Sequence, residues 1–373
     1  MKEGCESTPK LEKGLEEKAR KILRKEAFDY IARGAGAEAT MRANREVFNK
    51  WKIRPRVLRD VTERDFSISL FEQIIQSPVL LAPIGVQKIA HPEGELASAS
   101  AAAAMNIPYI VSSASSYSME EIALQMGDKP RWFQLYCSLE GSVTQSLVKR
   151  AEASGYSAIV ITVDTPMLGV RETDHVNGYS PLNEGNGSGN YITDPAFHKL
   201  LDKLPIEDME AAYSKQIEII DRPSLNWKDL SEIRSYTTLP ILLKGILHPS
   251  DAQLALDFGV DGIIVSNHGG RQLDHCISTL DALKDVIEVV NGRIPVLMDS
   301  GIRHGTDVLI ALALGADAVL LGRPYIYGLA IAGKEGVERV ITQLLHELDV
   351  SMALTGARSI RELDSSIIVQ PDK

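Results

Sequence analysis

The feature that most constrains this chain is a recurrence of eight apolar runs of strand length, each closed by Pro, Gly or a polar residue. They are PVLLAPIG (78–85), IPYIVSSA (107–114), RWFQLYC (131–137), AIVITVD (158–164), PILLKGI (240–246), GIIVSNHG (262–269), IPVLMDSG (294–301) and AVLLGRP (318–324). Most are apolar at successive rather than alternate positions, as strands of a parallel sheet covered on both faces must be. Segments of helical pattern lie between most of them, at 93–105, 140–154, 249–258 and 303–314. The last two end in Phe-Gly-Val-Asp and Leu-Gly-Ala-Asp, where the glycine closes the helix and the next strand follows directly. Strand–helix alternation repeated in this way predicts an α/β fold of the (β/α)8 TIM-barrel type, with a doubly wound sheet as the competing arrangement.

The remaining sequence fits around one barrel, which takes about 250 residues. The chain of 373 residues then reads as a single domain over 1–373. An N-terminal helical segment is expected over 1–76, with its helices from Leu11 to about Phe48; the barrel over 77–330; a C-terminal helix and tail over 331–373. Residues 172–226 break the rhythm after the fourth strand with Asn-Gly, Glu-Gly-Asn-Gly-Ser-Gly and Arg-Pro turns. An insertion there lies at the C-terminal mouth of a barrel, where active sites sit, and reads as a mobile lid.

Charge and cysteine content exclude several classes. A net charge of −10 argues against a nucleic-acid or anionic-membrane partner. The apolar runs are far shorter than the roughly 20 residues of a membrane span, and the polar N-terminus lacks a signal-peptide pattern, so the expected location is cytoplasmic. Cys5, Cys137 and Cys276 are too scattered for a disulfide framework or a zinc site. His248, His268 and His275 have no metal-ligand spacing, and no metal is expected. GAGAEA (34–39) matches a dinucleotide fingerprint in letters alone, because no strand precedes it.

What remains is a polar group at one strand end after another: Ser112, Gln134 with Tyr136, Thr162 with Asp164, Lys244, Asn267 with His268, Asp299, and Gly322 with Arg323. Strand ends of a barrel converge on one cavity, so these groups would face one ligand. Lys244 ends an apolar strand and must keep its charge paired: it either meets an anion or acts, deprotonated, as a Schiff-base nucleophile of aldolase type. His268 is a candidate base, Arg271 a clamp for a carboxylate, and Asp299 a partner for the charged imidazole. DSGIRHG (299–305) and LGRP (321–324) put glycine backbone and arginines at the last two strand ends, where barrels commonly bind phosphate.

Taken together, FDYIARGAGAEATMRANREVF (28–48), LAPIGVQKIAHPEGE (81–95), WFQLY (132–136), ITVDTP (161–166), LKGI (243–246), SNHGGRQLD (266–274), DSGIRHG (299–305) and LGRPYIYGLA (321–330) resemble the FMN-dependent L-2-hydroxy-acid oxidase and dehydrogenase family. The resemblance runs from about residue 25 to 360, and SNHGGRQ is its most specific part. NYITDPAFHK (190–199) and Gly85 make the chain most similar to the lactate 2-monooxygenase branch. The family implies FMN as cofactor, a small L-2-hydroxy acid such as L-lactate as substrate, O2 as acceptor, and assembly into homotetramers or homo-octamers. The products would be acetate, CO2 and water, or else pyruvate and H2O2.

Carried onto this sequence, the resemblance makes His268 the base with Asp299 behind it. Arg271 and Arg171 would bind the substrate carboxylate with Tyr30 and Tyr136; Asp164 would sit behind that set, and Tyr191 would contact substrate from the lid. Pro83, Ile84 and Gly85 would run along the flavin near N5, and Ser112, Gln134 and Thr162 would hydrogen-bond the ring edge. Lys244 would balance negative charge at N1–C2. Asp299, Ser300, Gly301, Arg303, Gly322 and Arg323 would hold the phosphate end. Where glycolate oxidase carries Trp two residues after the strand-end serine, this chain has Ala114, which alters the ceiling of the pocket.

Overall fold

The computed structural model describes residues 14–370. The apolar runs form a closed parallel barrel of eight strands. In chain order these are β1 (Val79–Leu81), β2 (Tyr109–Ser112), β3 (Arg131–Leu135), β4 (Ile159–Thr162), β5 (Ile241–Ile246), β6 (Gly262–Val265), β7 (Val296–Met298) and β8 (Ala318–Leu321). Each strand pairs with its sequence neighbours, and β8 closes on β1 through Val319↔Val79 and Leu321↔Leu81. Of these strand residues, only Arg131 and Gly245 are not fully buried. That accounts for the continuous apolar runs: one side of each strand fills the barrel and the other receives a helix.

The helices are built from local signals. Gly94–Ala104 is mostly Ala and Ser, and its small side chains let it pack closely on the C-terminal helical stretch Arg323–Thr355, which is two helices broken at Ala332 and Gly333. Helix Met119–Met126 opens with a capping box between Ser118 and Glu121. Pro249–Asp257 and Gly305–Ala313 are each followed by a glycine of positive φ, Gly259 at 68° and Gly315 at 106°. Both helices therefore stop there and the chain turns into β6 and β8.

The first 76 residues differ from the sequence expectation. Leu15–Ile22, Lys25–Ala32 and Ala39–Glu46 are helices, while Leu11 to Lys13 lie outside the described residues. Residues 51–76 are not helical. Lys52–Ile53 pairs with Ile368–Val369, and Ile68–Leu70 forms a hairpin with Gln73–Ile75. Phe71 and Glu72 make its two-residue turn at φ 51° and 63°, a conformation that side chains seldom adopt and that the sequence did not announce. Phe71 packs edge-on to Trp132, 5.6 Å between ring centroids, so the hairpin covers the N-terminal end of the barrel.

The insertion after β4 folds back on the barrel. Asn190, Tyr191, Asp194 and Phe197 are fully buried. Asn190 donates to the Ser112 and Ser113 carbonyls and accepts from Met119 N, and Asp194 pairs with Arg150 at 2.8 Å. Residues 188–198 are thus docked, and only the parts near 180–182 and 217–221 reach the mouth of the barrel.

Candidate active site

At the C-terminal mouth of the barrel lies a cavity of about 320 Å³, lined from the ends of β1, β2, β3, β5, β6, β7 and β8. His268 projects into it from the turn after β6. Its backbone has φ 58°, a left-handed conformation that costs energy for a residue with a Cβ and recurs where a functional side chain must be aimed. Ser266 fixes the turn by accepting from His268 N at 3.0 Å. The imidazole Nδ1 lies 2.9 Å from Asp164 Oδ1. Burial pushes the His268 pKa below its ordinary value, against the pull of Asp164, while Lys244 and Arg171 add to the lowering. Burial opposes the charge on Asp164, but His268 and Lys244 outweigh it and hold that carboxyl below the usual range. The pair is therefore an ionised aspartate behind a neutral imidazole whose Nε2 is free to accept a proton.

This corrects the sequence assignment of Asp299. Asp299 does not back the histidine; it forms an ion pair with Lys244 at 3.1 Å and accepts from Ser300 Oγ at 2.8 Å. Lys244 also donates to Ser266 Oγ at 2.8 Å, and a bulge between Lys244 and Ile246 shapes the end of β5 on which it sits. Burial works against its ammonium, but Asp299 and Asp164 together raise its pKa above the ordinary value. A lysine held protonated is no amine nucleophile, which removes the Schiff-base reading.

Two arginines line the same cavity as His268. Arg171 is buried, and its Nε donates to the Arg271 carbonyl at 3.2 Å. The Arg271 guanidinium lies 4.8 Å from the centroid of the Tyr30 ring and that of Arg171 lies 5.7 Å from it. Desolvation, with Arg171 nearby, pushes Arg271 down to about 9. Burial and Asp164 raise the Tyr136 pKa, so its phenol stays a hydrogen-bond donor in the same cavity. Two cations, two phenols and a base form a site for a carboxylate beside an ionisable proton.

At the other end of the cavity, desolvation and Arg323 lower Arg303 to about 10. Desolvation also lowers Arg323, whose guanidinium, among the described residues, donates to the carbonyls of Ile31, Gly269 and Arg33. Ser300 and Gly301 have positive φ, 73° and 95°, and with Gly322 they line this end with exposed backbone. A cradle of backbone and guanidinium groups that have no carboxylate partner among the described residues suits a phosphate.

Most of the expected site residues converge here: Tyr30, Pro83, Ile84, Gly85, Ser112, Tyr136, Arg171, Lys244, His268, Arg271, Asp299, Ser300, Gly301, Arg303, Gly322 and Arg323 all line the cavity. Gln134 and Thr162 stand just behind the wall. Gln134 accepts from Ser112 Oγ at 3.0 Å and donates to Thr162 Oγ1 at 2.9 Å, making a polar row across β2, β3 and β4. Tyr191 does not reach the cavity; it is fully buried and packs edge-on against Phe197, 5.5 Å between centroids. GAGAEA, discounted as a nucleotide motif, braces the site: Ala35 N donates to the Gly270 carbonyl and Gly36 N to that of Val170. Leu182, Ile217 and Ile220 were missed; they bring an apolar wall from the insertion, and Gln272 was missed as well. The helical spacing of Ile217 and Ile220 was a readable signal for the former.

A model of the family described as FMN-dependent dehydrogenase matches residues 19–370. The chain belongs to that family. It is 50% identical over 345 residues to an L-lactate oxidase of Lysinibacillus sphaericus (strain C3-41), covering 92% of this chain and 89% of that one. It is 43% identical over 359 residues to a 2-hydroxyacid oxidase of Dictyostelium discoideum, covering 96% and 90%. Among solved structures, mandelate oxidase superposes with a TM-score of 0.83 at 40% identity over 93% of this chain and 94% of that one. Another mandelate oxidase structure carries a C4a-OH-FMN adduct. The protein is an FMN-dependent oxidoreductase that acts on 2-hydroxy acids, on a TIM barrel. Among the described residues no cluster of His, Cys, Asp or Glu could hold a metal, and no helix is long and apolar enough to cross a membrane.

Proposed function

We propose that this protein oxidises L-lactate, or an L-2-hydroxy acid of similar size, and passes the electrons to O2, yielding the 2-oxo acid and H2O2. The observation that carries the reading is His268, backed by Asp164 at 2.9 Å, in one cavity with Arg171 and Arg271. Arg271 and Arg171 bind the carboxylate, and the phenols of Tyr30 and Tyr136 help to orient it. His268 Nε2 takes the proton of the 2-hydroxyl, and Asp164 stabilises the imidazolium so formed. The residues of the cavity fit FMN. Arg303, Arg323, Ser300, Gly301 and Gly322 would hold its phosphate, Lys244 with Asp299 and the Ser112–Gln134–Thr162 row would serve the ring edge, and Pro83, Ile84 and Gly85 would flank one face. When bound, FMN supplies the two-electron acceptor that no side chain provides.

Release of pyruvate and peroxide is preferred here to acetate and CO2. The expectation of acetate rested on the resemblance of Gly85 and of NYITDPAFHK (190–199) to the lactate 2-monooxygenase branch. A Cβ at Gly85 would meet the Ala114 carbonyl at 2.4 Å, so glycine is required by the contact of two loops. Ala114 and the wall of Leu182, Ile217 and Ile220 favour a small apolar side chain on the substrate. The test is anaerobic mixing with L-lactate, which should bleach the flavin, followed by product analysis in oxygen. Pyruvate and peroxide in equal amounts are expected; acetate as the main product would make the protein a monooxygenase, and an unbleached flavin would reject L-lactate as the substrate.

A further inference from the structure

We propose that Gln272 is a positioning residue for the carboxylate-binding pair: its amide fixes the loop that carries Arg171 to the loop that carries His268 and Arg271. The proposal rests on the reading of Arg171 and Arg271 as the carboxylate site. The loop after β4 runs from Asp164 to Arg171, and it has little of its own to hold it in place. Met167, Leu168 and Val170 keep 67%, 65% and 65% of their surface exposed, so no buried apolar anchor secures the segment. Its ties are polar: Gly36 N donates to the Val170 carbonyl at 3.0 Å and Asp164 meets His268 at 2.9 Å, while the Gln272 side chain alone reaches three positions along the loop. Gln272 Nε2 donates to the Asp164 carbonyl at 3.1 Å and to the Met167 carbonyl at 3.0 Å. Gln272 Oε1 accepts from Gly169 N at 3.1 Å and faces Arg171 Nη2 at 3.5 Å. The amide thus uses both ends, donor and acceptor, on one loop.

The backbones of the two loops also touch. A Cβ at Gly169 would lie 2.5 Å from the Gln272 carbonyl and 2.7 Å from that of Arg271. Only glycine permits this approach, which brings Arg171 Nε to the Arg271 carbonyl at 3.2 Å. A clamp of this kind sets the separation of two guanidinium groups that repel each other, and so lowers the cost of gathering them around one carboxylate. Asp164 and His268 depend on it less. Asp164 lies two residues after β4 and is held by His268, and His268 is tied through Ser266 to the end of β6. The expected signature is therefore a split, with substrate binding weakened and the chemical step nearly kept.

The experiment uses the FMN-loaded enzyme and compares wild type with Gln272→Met and Gln272→Ala. Methionine keeps the volume and loses all of the hydrogen bonds; alanine loses both. Anaerobic stopped-flow reduction by L-lactate gives Kd and the limiting rate, and oxalate titration followed by flavin absorbance gives carboxylate binding without turnover. Flavin content and Tm are measured alongside. For both variants we expect Kd for lactate and oxalate to rise by about tenfold or more, with the limiting rate within about threefold of wild type. Lactate Kd unchanged in Gln272→Met, or a fall confined to Tm or to the limiting rate, would overturn the positioning role. If wild type fails to reduce with lactate, the proposed substrate is wrong, and the oxalate arm still decides the role of Gln272.

Discussion

His268 and Asp164 form the unit on which the chemistry turns, and their exchange of charge can be read in a pH profile. His268 is pushed below its ordinary value of about 6.5 by burial, and it must be neutral to accept a proton. The sign follows: kcat/KM rises with pH through the His268 pKa and levels off above it, so the acidic limb should lie below about pH 6.5. Asp164→Asn removes the carboxylate that raises this pKa; the limb should move to lower pH and the plateau should drop by about a hundredfold or more. A limb centred above pH 7 in wild type would contradict the assignment. His268→Gln should keep its flavin and lose activity by several orders of magnitude, since base and imidazolium are both lost. At Lys244, bound to Asp299 and Ser266, Lys244→Met should lower the flavin's reduction potential and slow reduction while lactate Kd changes little. A potential equal to wild type would refute that role. At this scale the identities of the groups were legible and their pairing was not. Asp164 and Asp299 both follow strands, and which one meets His268 depends on the left-handed turn at His268 and the bulge beside Lys244, features of the backbone that no residue type announces.

The elements that matter beyond the strands are the loops joining them, and the contact after β1 and β2 illustrates their tight fit. Val86 N donates to the Ala114 carbonyl at 3.0 Å, and the buried Glu95 accepts from Gln87 N and Ser116 N, each at 3.0 Å, binding the same two loops. Gly85→Ala would force a methyl against Ala114, and overpacking of this kind costs about 1–3 kcal/mol. We expect a lower Tm and weaker FMN retention, with the ratio of pyruvate to acetate unchanged. A shift in that ratio alone, at wild-type Tm, would return Gly85 to a role in product fate. The strands themselves were legible because burial on both faces demands unbroken apolar runs, and those runs mapped onto β1–β8. The hairpin at 68–75 was not, because its turn lacks the usual Asn-Gly or Asp-Gly and its pairing is short. The burial of Tyr191 was hidden too, since a tyrosine in a Gly-rich insertion reads equally as ligand contact or core, and the Asn190 and Asp194 anchors that decide it act at long range.

Over the whole molecule, the barrel gathers more positive charge at one end of its mouth than its own carboxylates balance. Arg303 is lowered to about 10 by desolvation and by Arg323, with Arg45 adding to the repulsion and Asp307 opposing it. Asp307 is already engaged by Arg45 at 2.7 Å and by Arg303 N at 2.8 Å. A phosphate dianion would relieve this repulsion, so the fold and its proposed cofactor are coupled through charge. Ligand that binds only the native state stabilises it by about 2.7 kcal/mol when free ligand is roughly a hundredfold above Kd. For a chain of this size that corresponds to a rise in Tm of roughly 4 °C. Arg303→Met should separate the two effects. Without FMN the variant should melt at the same temperature as wild type or higher, because a repelled cation has been replaced by an apolar chain of similar reach. With FMN it should gain less than wild type and bind FMN at least about tenfold more weakly, since a charge-assisted contact to phosphate is lost. The measurement is a pair of thermal melts on deflavinated protein, with and without added FMN, beside an FMN titration by fluorescence quenching. An Arg303→Met apoprotein several degrees less stable than wild type would mean that the guanidinium serves the fold through its Ile302 contact, and the charge argument would fail.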